Sequence, residues 1–254
     1  MFGLSWFNTL LAGVFIAAAI SFVLLLKVDA PYGHAQRPGW GPVISNRWGW
    51  VLMELPALLA FVWFYWGGVN SGQTAALVLL LLWLLHYGHR SLIYPFTLPA
   101  NSPPMPWLIV LLGAGYNSVN GYLQGTFIGH LAPHLDAAWL QDWRFYAGLV
   151  LFAAGYGLNK HSDWLLRRLA ASCQPGEMKL PQGGGFRWVD QPNYLGEILT
   201  WLGFALAGWS LAGLSFAVFT FANLAPRALR KHRWYKAEFA AYPKGRKAIW
   251  PYLL

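Results

Sequence analysis

The sequence predicts an all-α, polytopic membrane protein with seven transmembrane helices, its N-terminus outside and its C-terminus cytoplasmic. Three observations predict it. Hydrophobic residues fill 57% of the 254 positions and charged residues only 11%, a balance unlike that of a soluble domain. The apolar residues come in repeated runs of helical rather than strand length, which argues against a β-barrel. Lys and Arg gather between alternate runs, the asymmetry that places basic loops in the cytoplasm.

The first run, Ser5–Leu26, has no basic residue before it and Lys27 just after it. That polarity is the reverse of a cleaved signal peptide, so the run reads as a span. The later runs are Trp50–Trp66, Gln73–Tyr94, Trp107–Leu123, Trp143–Asn159, Tyr194–Gly208 and Leu211–Leu229. Breakers separate them: Pro31 to Pro42, Gly67 to Gly72, Pro95 to Pro106, and Pro133. With no internal repeat and no low-complexity segment, residues 1–254 read as one domain.

The last pair needs a decision, because Tyr194 to Leu224 reads either as one long helix or as a hairpin turning near Trp209-Ser210. Charge decides for the hairpin. With the turn, sixteen of the eighteen basic residues share one side: Lys27, Arg37 and Arg47, five from Lys160 to Arg187, and eight from Arg227 onward. Arg90 and Arg144 lie at span ends, and the opposite loops carry Asp136 and Asp142 instead. Without the turn, the eight tail charges would fall on the wrong side of the membrane.

The net charge of +9 therefore reports topology rather than a nucleic-acid partner. A lone cysteine, Cys173, excludes an intramolecular disulfide and any multi-cysteine metal site. Polar residues interrupt the apolar runs at four places. Glu54 lies in the second run with Pro56 two residues on; a carboxyl group there is either firmly hydrogen-bonded or a helix-end residue reaching toward headgroups. His86, His89 and Arg90 share a helix face by their i, i+3, i+4 spacing, with Tyr87 directed elsewhere. Asn159, His161, Asp163, Arg167 and Arg168 lie where the fifth span runs into the cytoplasmic loop, and a solvated basic rim accounts for the two arginines equally well. The stretch KLPQGGGFRWVDQPNYLGE, Lys179 to Glu197, then leads into the sixth span. Asn193 reads there as a helix cap and Glu197 as a carboxylate near the dipole's positive end, although an ionisable residue carried into a lipid-facing run points to a buried site.

A metal site is not supported. His86 and His89 lack a cysteine or a nearby carboxylate in sequence to complete a set, and Pro133 breaks the helix that would pair His130 with His134. There is no nucleophile elbow, no GxGxxG after a strand and no phosphate loop. A nucleotide would bind in a helical setting, with loop arginines meeting its phosphates.

Several segments in series resemble one family. PQGGGF at Pro181–Phe186, NYLGEILTWLGFALAGWS at Asn193–Ser210 and HRWYKAEFAAYPKGRKAIWPY at His232–Tyr252 are similar to the C-terminal half of the steroid 5α-reductases. ELP at Glu54–Pro56, HYGHR at His86–Arg90, NGYLQG at Asn120–Gly125 and NKHSDWLLRRL at Asn159–Leu169 match in the same order. The chain thus resembles a bacterial-type member, from about residue 50 onward; the first span matches only in being apolar.

The resemblance implies a seven-span, NADPH-dependent reductase of the 4,5 double bond of a 3-oxo-4-ene steroid, with hydride passing to C5 and a proton to C4. It implies that Tyr87 touches the 3-carbonyl, that Glu54 holds the phenol, and that Arg90 lines the substrate site. It implies cofactor contacts at Asn120, Asn159, Asp163, Arg167, Asn193, Glu197, Arg227, Tyr235 and Arg246, most of them within 143–254. Arginine is suited to pyrophosphate and a 2′-phosphate, and conjugate reduction needs a donor where the enolate charge develops. The implied partners are a steroid or other lipid enone and the bilayer, with no nucleic acid and no obligate protein partner. The implied membrane is the inner membrane of a bacterium or the endoplasmic reticulum of a eukaryote. Two departures stand out: Leu112 aligns with an arginine of mammalian members, and Arg230-Lys231-His232 replaces a histidine-rich stretch. Polyprenol, enoyl and sterol double-bond reductases and isoprenylcysteine-type methyltransferases share a similar C-terminal module; a methyl donor has no need of Glu54 and HYGHR.

Overall fold

The computed structural model describes residues 3–28, 39–99, 102–174 and 177–253. Among them are the helices α1 Leu4–Lys27, α2 Asn46–Tyr65, α3 Thr74–Gly88, α4 Tyr94–Thr97, α5 Trp107–Thr126, α6 Trp143–Ala171, α7 Pro192–Gly208 and α8 Leu211–Glu238. A two-residue antiparallel pair, β1 Val43–Ile44 and β2 Met105–Pro106, ties the approach to α2 to the approach to α5. The protein is thus all-α in character. Leu4–Lys27, Asn46–Tyr65 and the rod Thr74–Thr97 are long and apolar enough to cross a membrane. Pro31, where the first break is expected, and Arg37 lie outside the described residues.

Several helices outrun the apolar runs that announce them. Helix α2 starts at Asn46, which puts Arg47 in its first turn, and α6 continues past Asn159 to Ala171. Asp163, Arg167 and Arg168 are therefore helical rather than part of a loop. The reason is that Lys, Leu, Arg and Ala beyond the apolar stretch are good helix formers, whereas hydrophobicity marks only the segment fit for lipid.

Small residues let the main pairs of helices close. Gly121, Gly125 and Gly129 face α2, where a Cβ on Gly125 would stand 2.5 Å from the Phe61 carbonyl oxygen. Helices α6 and α7 meet the same way: a Cβ on Gly196 would lie 2.6 Å from the Gly155 oxygen, and one on Gly203 would lie 2.7 Å from the Gly148 oxygen. In lipid, where apolar side chains gain little by leaving their surroundings, such close backbone approach is a main source of helix association.

Helix α3 runs through the middle. Its Trp83 packs 4.7 Å from Phe61 of α2, 5.4 Å from Trp201 of α7 and 6.0 Å from Phe216 of α8, ring centre to ring centre. Past Gly88 the backbone widens into a π-turn, His89–Ile93. Pro95, having no N–H, cannot continue the regular ladder to Ser91, and the Ser91 hydroxyl instead donates to the Tyr87 carbonyl at 2.6 Å. Such turns recur at functional sites.

The expected turn between the last two helices is present. Helix α7 ends at Gly208, Trp209 takes a left-handed φ of 40°, and the Ser210 hydroxyl caps α8 by accepting from the Gly213 N–H at 2.8 Å. The end of α7 is covered by the segment before α6: Trp139 Nε1 donates to the Ala207 carbonyl at 2.8 Å, and His134 Nε2 lies 3.1 Å from that of Gly208. These bonds satisfy carbonyls a helix end leaves open.

Candidate active site

Two buried polar clusters meet at adjacent residues of α3. The first is gathered from α2, α3, the π-turn and α5. Arg90 donates through Nε to Glu54 Oε1 at 2.9 Å, and its guanidinium lies 4.8 Å over the Trp50 ring. Asn117 Nδ2 donates to Glu54 Oε2 at 3.3 Å and to the Met53 carbonyl at 2.7 Å. The Tyr87 hydroxyl donates to Asn117 Oδ1 at 3.4 Å and receives Asn120 Nδ2 at 3.4 Å. Gln124 closes the row, donating to Asn120 Oδ1 at 3.2 Å and to the Ala212 carbonyl at 2.7 Å. Glu54 and Tyr87 are both buried.

The link expected between Glu54 and the phenol is therefore made through Asn117. Arg90, expected to line the substrate site, pairs with Glu54. Asn120, expected against the cofactor, reaches the phenol. A carboxylate this deep needs a cation and hydrogen bonds, and Arg90 and Asn117 supply them.

The second cluster lies between α3, α6 and α7. His86 Nε2 is 3.1 Å from Glu197 Oε1, which also accepts from Trp201 Nε1 at 3.0 Å. Asn159 Nδ2 donates to Glu197 Oε2 at 3.1 Å and to the Asn193 carbonyl at 2.9 Å. Asn193 Nδ2 continues to Asp163 Oδ1 at 3.2 Å. Asn193 does not cap α7: Gln191 occupies the cap position and Pro192 the first turn, where a missing N–H and a fixed φ suit a helix start. The Asn193 side chain is thereby free to cross to α6. His86 and Arg90 engage different helices, α7 and α2, despite their shared-face spacing.

Of the remaining expected residues, Arg167 lies on α6 and the others lie toward the C-terminal end of α8 and the tail. Arg227 donates to Asn223 Oδ1 at 3.1 Å, one turn back on α8. Tyr235 is buried, and Arg246 is only 4% exposed, with Nη1 donating to the Pro181 carbonyl at 3.0 Å. Arg167 is half-buried on α6. Lys231, next to the Trp234 ring at 4.0 Å, is pushed down to about 8 by burial, with nearby Asp190 acting the other way. Burial also pushes the Tyr242 phenol up, and its hydrogen bond to Asp190 adds to the rise.

Asn117 carries structural weight that no motif announced, and Gln124 and Trp201 lie inside matched segments that gave them no role. One signal was present: Asn117, Asn120 and Gln124 recur at i, i+3 and i+7, a polar stripe on one face of an apolar run.

An arrangement of this kind can hold one buried phenol O–H among aromatic rings and carboxamides, beside a second carboxyl group between two neighbouring helices. Residues 103–254 match the family profile described as 3-oxo-5-alpha-steroid 4-dehydrogenase. The chain is 37% identical over 251 residues to the steroid 5-alpha-reductase DET2 of Gossypium hirsutum, covering 97% of each. It is 40% identical over 258 residues to 3-oxo-5-alpha-steroid 4-dehydrogenase 2 of Homo sapiens, again covering 97% of each. With 3-oxo-5-alpha-steroid 4-dehydrogenase 1 of Macaca fascicularis it shares 39% over 251 residues, 96% of this chain and 94% of the other. By this extent of likeness the chain belongs to the 3-oxo-5-alpha-steroid 4-dehydrogenase family.

Proposed function

We propose that the protein reduces the 4,5 double bond of 3-oxo-4-ene steroids, as an oxidoreductase acting on a CH–CH group, with NADPH as reductant. The observation that carries this reading is the Tyr87 hydroxyl, buried among apolar rings and held between Asn117 and Asn120. As hydride adds at C5, the double-bond electrons shift toward the carbonyl and negative charge grows on O3. With the enone bound, the Tyr87 O–H would turn from Asn117 Oδ1 to that oxygen while Asn120 Nδ2 still donates to the phenol. A donor so placed stabilises the charge, and more strongly where water is absent. As the C3 carbonyl re-forms from the enolate, C4 takes a proton drawn ultimately from solvent, so that hydride and proton together saturate the C4–C5 bond. Asn117 and Asn120 orient the phenol, and Arg90 holds Glu54 in place.

Bound NADPH supplies the hydride. The residues between α6 and α7 fit its carboxamide and ribose: Asn159 Oδ1, Asn193 Oδ1 and His86 Nδ1 are buried and find no hydrogen-bond partner among the described residues. Unmet buried polar atoms are costly and invite a ligand. In this reading Asn120, Asn159, Asp163, Asn193 and Glu197 hold the nicotinamide end. Arg167, Arg227, Tyr235 and Arg246 serve the phosphates and adenosine, with most of the site in 143–254. The basic tail suits a 2′-phosphate, so NADPH is preferred to NADH.

The seven-span topology, with its N-terminus out and C-terminus cytoplasmic, rests on the placement of Lys and Arg and on the turn at Trp209-Ser210. It places the steroid end within the bilayer, where a lipid-soluble substrate is concentrated. Detergent-purified protein given a 3-oxo-4-ene steroid should turn over with NADPH and much less with NADH. Equal kcat/KM for the two cofactors would refute the cofactor assignment.

A further inference from the structure

Asp190 is fully buried, yet it lies outside the apolar core, two residues before α7 begins. Its Oδ2 meets His232 Nδ1 at 2.5 Å and accepts from the Tyr242 hydroxyl at 2.7 Å, and these two partners are 3.0 Å from each other. Its Oδ1 faces Arg246 Nη1 at 3.5 Å. One carboxylate thus collects a residue from the cytoplasmic end of α8 and two from the tail.

The backbone repeats the same join. Asp190 N–H donates to the Lys247 carbonyl at 2.8 Å, Lys247 N–H to that of Trp188 at 2.9 Å, and Gln191 N–H to that of Ala248 at 3.2 Å. Arg246 Nη1 reaches across to Pro181 at the start of the glycine stretch. The segment carrying Arg246 and the segment entering α7 are therefore fixed to one another in one register.

An apolar residue at 190 would bury as favourably or better, because taking a carboxylate out of water is expensive even when it is paired. What a hydrogen-bonded polar centre adds is discrimination: in this arrangement of the tail His232 and Tyr242 meet Oδ2 and Arg246 faces Oδ1, and displacing the tail would forfeit those contacts. We infer that Asp190, with His232 and Tyr242, is a positioning clasp for the cofactor site, setting Arg246 and the α7 residues Asn193 and Glu197 in register. The inference rests on the reading that those residues bind NADPH. Asp190 itself need touch neither cofactor nor steroid.

The test compares Asp190→Asn, His232→Gln and Tyr242→Phe in the full chain. It reads NADPH Kd by tryptophan quenching, KM for each substrate, kcat and thermal stability. Asp190→Asn should raise the Kd and KM for NADPH by about ten- to a hundredfold, the size of a lost charge-assisted hydrogen bond. Its kcat at saturating NADPH and its steroid KM should stay within about twofold, a split expected when uniform binding is lost. Tyr242→Phe should show the same split at roughly two- to tenfold. A folded Asp190→Asn protein with unchanged NADPH Kd, or with kcat reduced and Kd unchanged, overturns the inference. Should Asp190→Asn fail to fold, the other two variants decide, and unchanged NADPH Kd in both overturns it. Wild-type protein that binds no NADPH would remove the functional reading beneath it; wild-type binding with unaffected variants would remove the clasp alone.

Discussion

Asn117 joins Tyr87 to Glu54: its Oδ1 accepts from the Tyr87 hydroxyl at 3.4 Å while its Nδ2 donates to Glu54 Oε2 at 3.3 Å. The carboxamide needs both ends for this, so a side chain of similar size without polar atoms breaks the relay and keeps the packing. Asn117→Leu should lower kcat about tenfold, in the range of one buried hydrogen bond lost, with NADPH affinity kept. Combined with Tyr87→Phe it should add little, because residues in one network do not act additively. Fully multiplicative losses would separate Asn117 from the phenol.

The glycine seams set the helix spacing that brings these residues together. Gly125→Ala places a methyl group 2.5 Å from the Phe61 carbonyl oxygen, and Gly203→Ala places one 2.7 Å from that of Gly148. Each should cost about 1–3 kcal/mol as overpacking and lower the thermal midpoint in detergent by several degrees. Gly157→Ala, with open space around it, is the matched control. Equal midpoints for all three would remove the seams as a source of stability.

Lys231 gives a prediction that depends on pH. Burial lowers its ammonium to about 8, so its neutral, nucleophilic form is reached at lower pH than for an ordinary lysine near ~10.4. An amine-directed reagent should label Lys231 with a rate that is half-maximal near pH 8. Peptide mass spectrometry follows the Lys231 peptide, and a rate that keeps rising well beyond that pH would contradict the burial of Lys231.

Topology is tested by accessibility. A tag at the C-terminus should be reached by protease from the cytoplasmic side and a tag before Ser5 should not. Both ends on one side would mean an even number of spans.

The helical class, the run of apolar segments and the turn at Trp209-Ser210 were legible because hydrophobicity and charge placement respond directly to the bilayer. Some helix ends were legible, among them the starts at Trp107, Trp143 and Leu211 and the end at Gly208; others were not. Helix α6 passes Asn159 without a break, since good helix formers follow and hydropathy marks only the apolar part of a helix. For the site, the resemblance named Glu54, Tyr87, Asn159, Asn193 and Glu197, which lie in or beside two touching clusters. It did not supply Asn117, a carboxamide in an apolar run that no spacing rule connects to Glu54 some 63 positions away. Asn193 read as a cap because its residue type favours that position, and tertiary contact with Asp163 overrode the local preference. Asp190 and His232, 42 residues apart, carry no local pattern at all.

The most direct measurement is steroid turnover and NADPH affinity, taken side by side on wild type and Tyr87→Phe. The substitution keeps the ring among Trp83, Trp201 and Phe216 and removes only the hydroxyl between Asn117 and Asn120. The expected result is a fall in kcat on the order of 10²–10³, as for deletion of one oxyanion donor, with NADPH Kd within about twofold of wild type. A folded, NADPH-bound Tyr87→Phe enzyme that reduces a 3-oxo-4-ene steroid at the wild-type rate would contradict the assignment of the donor.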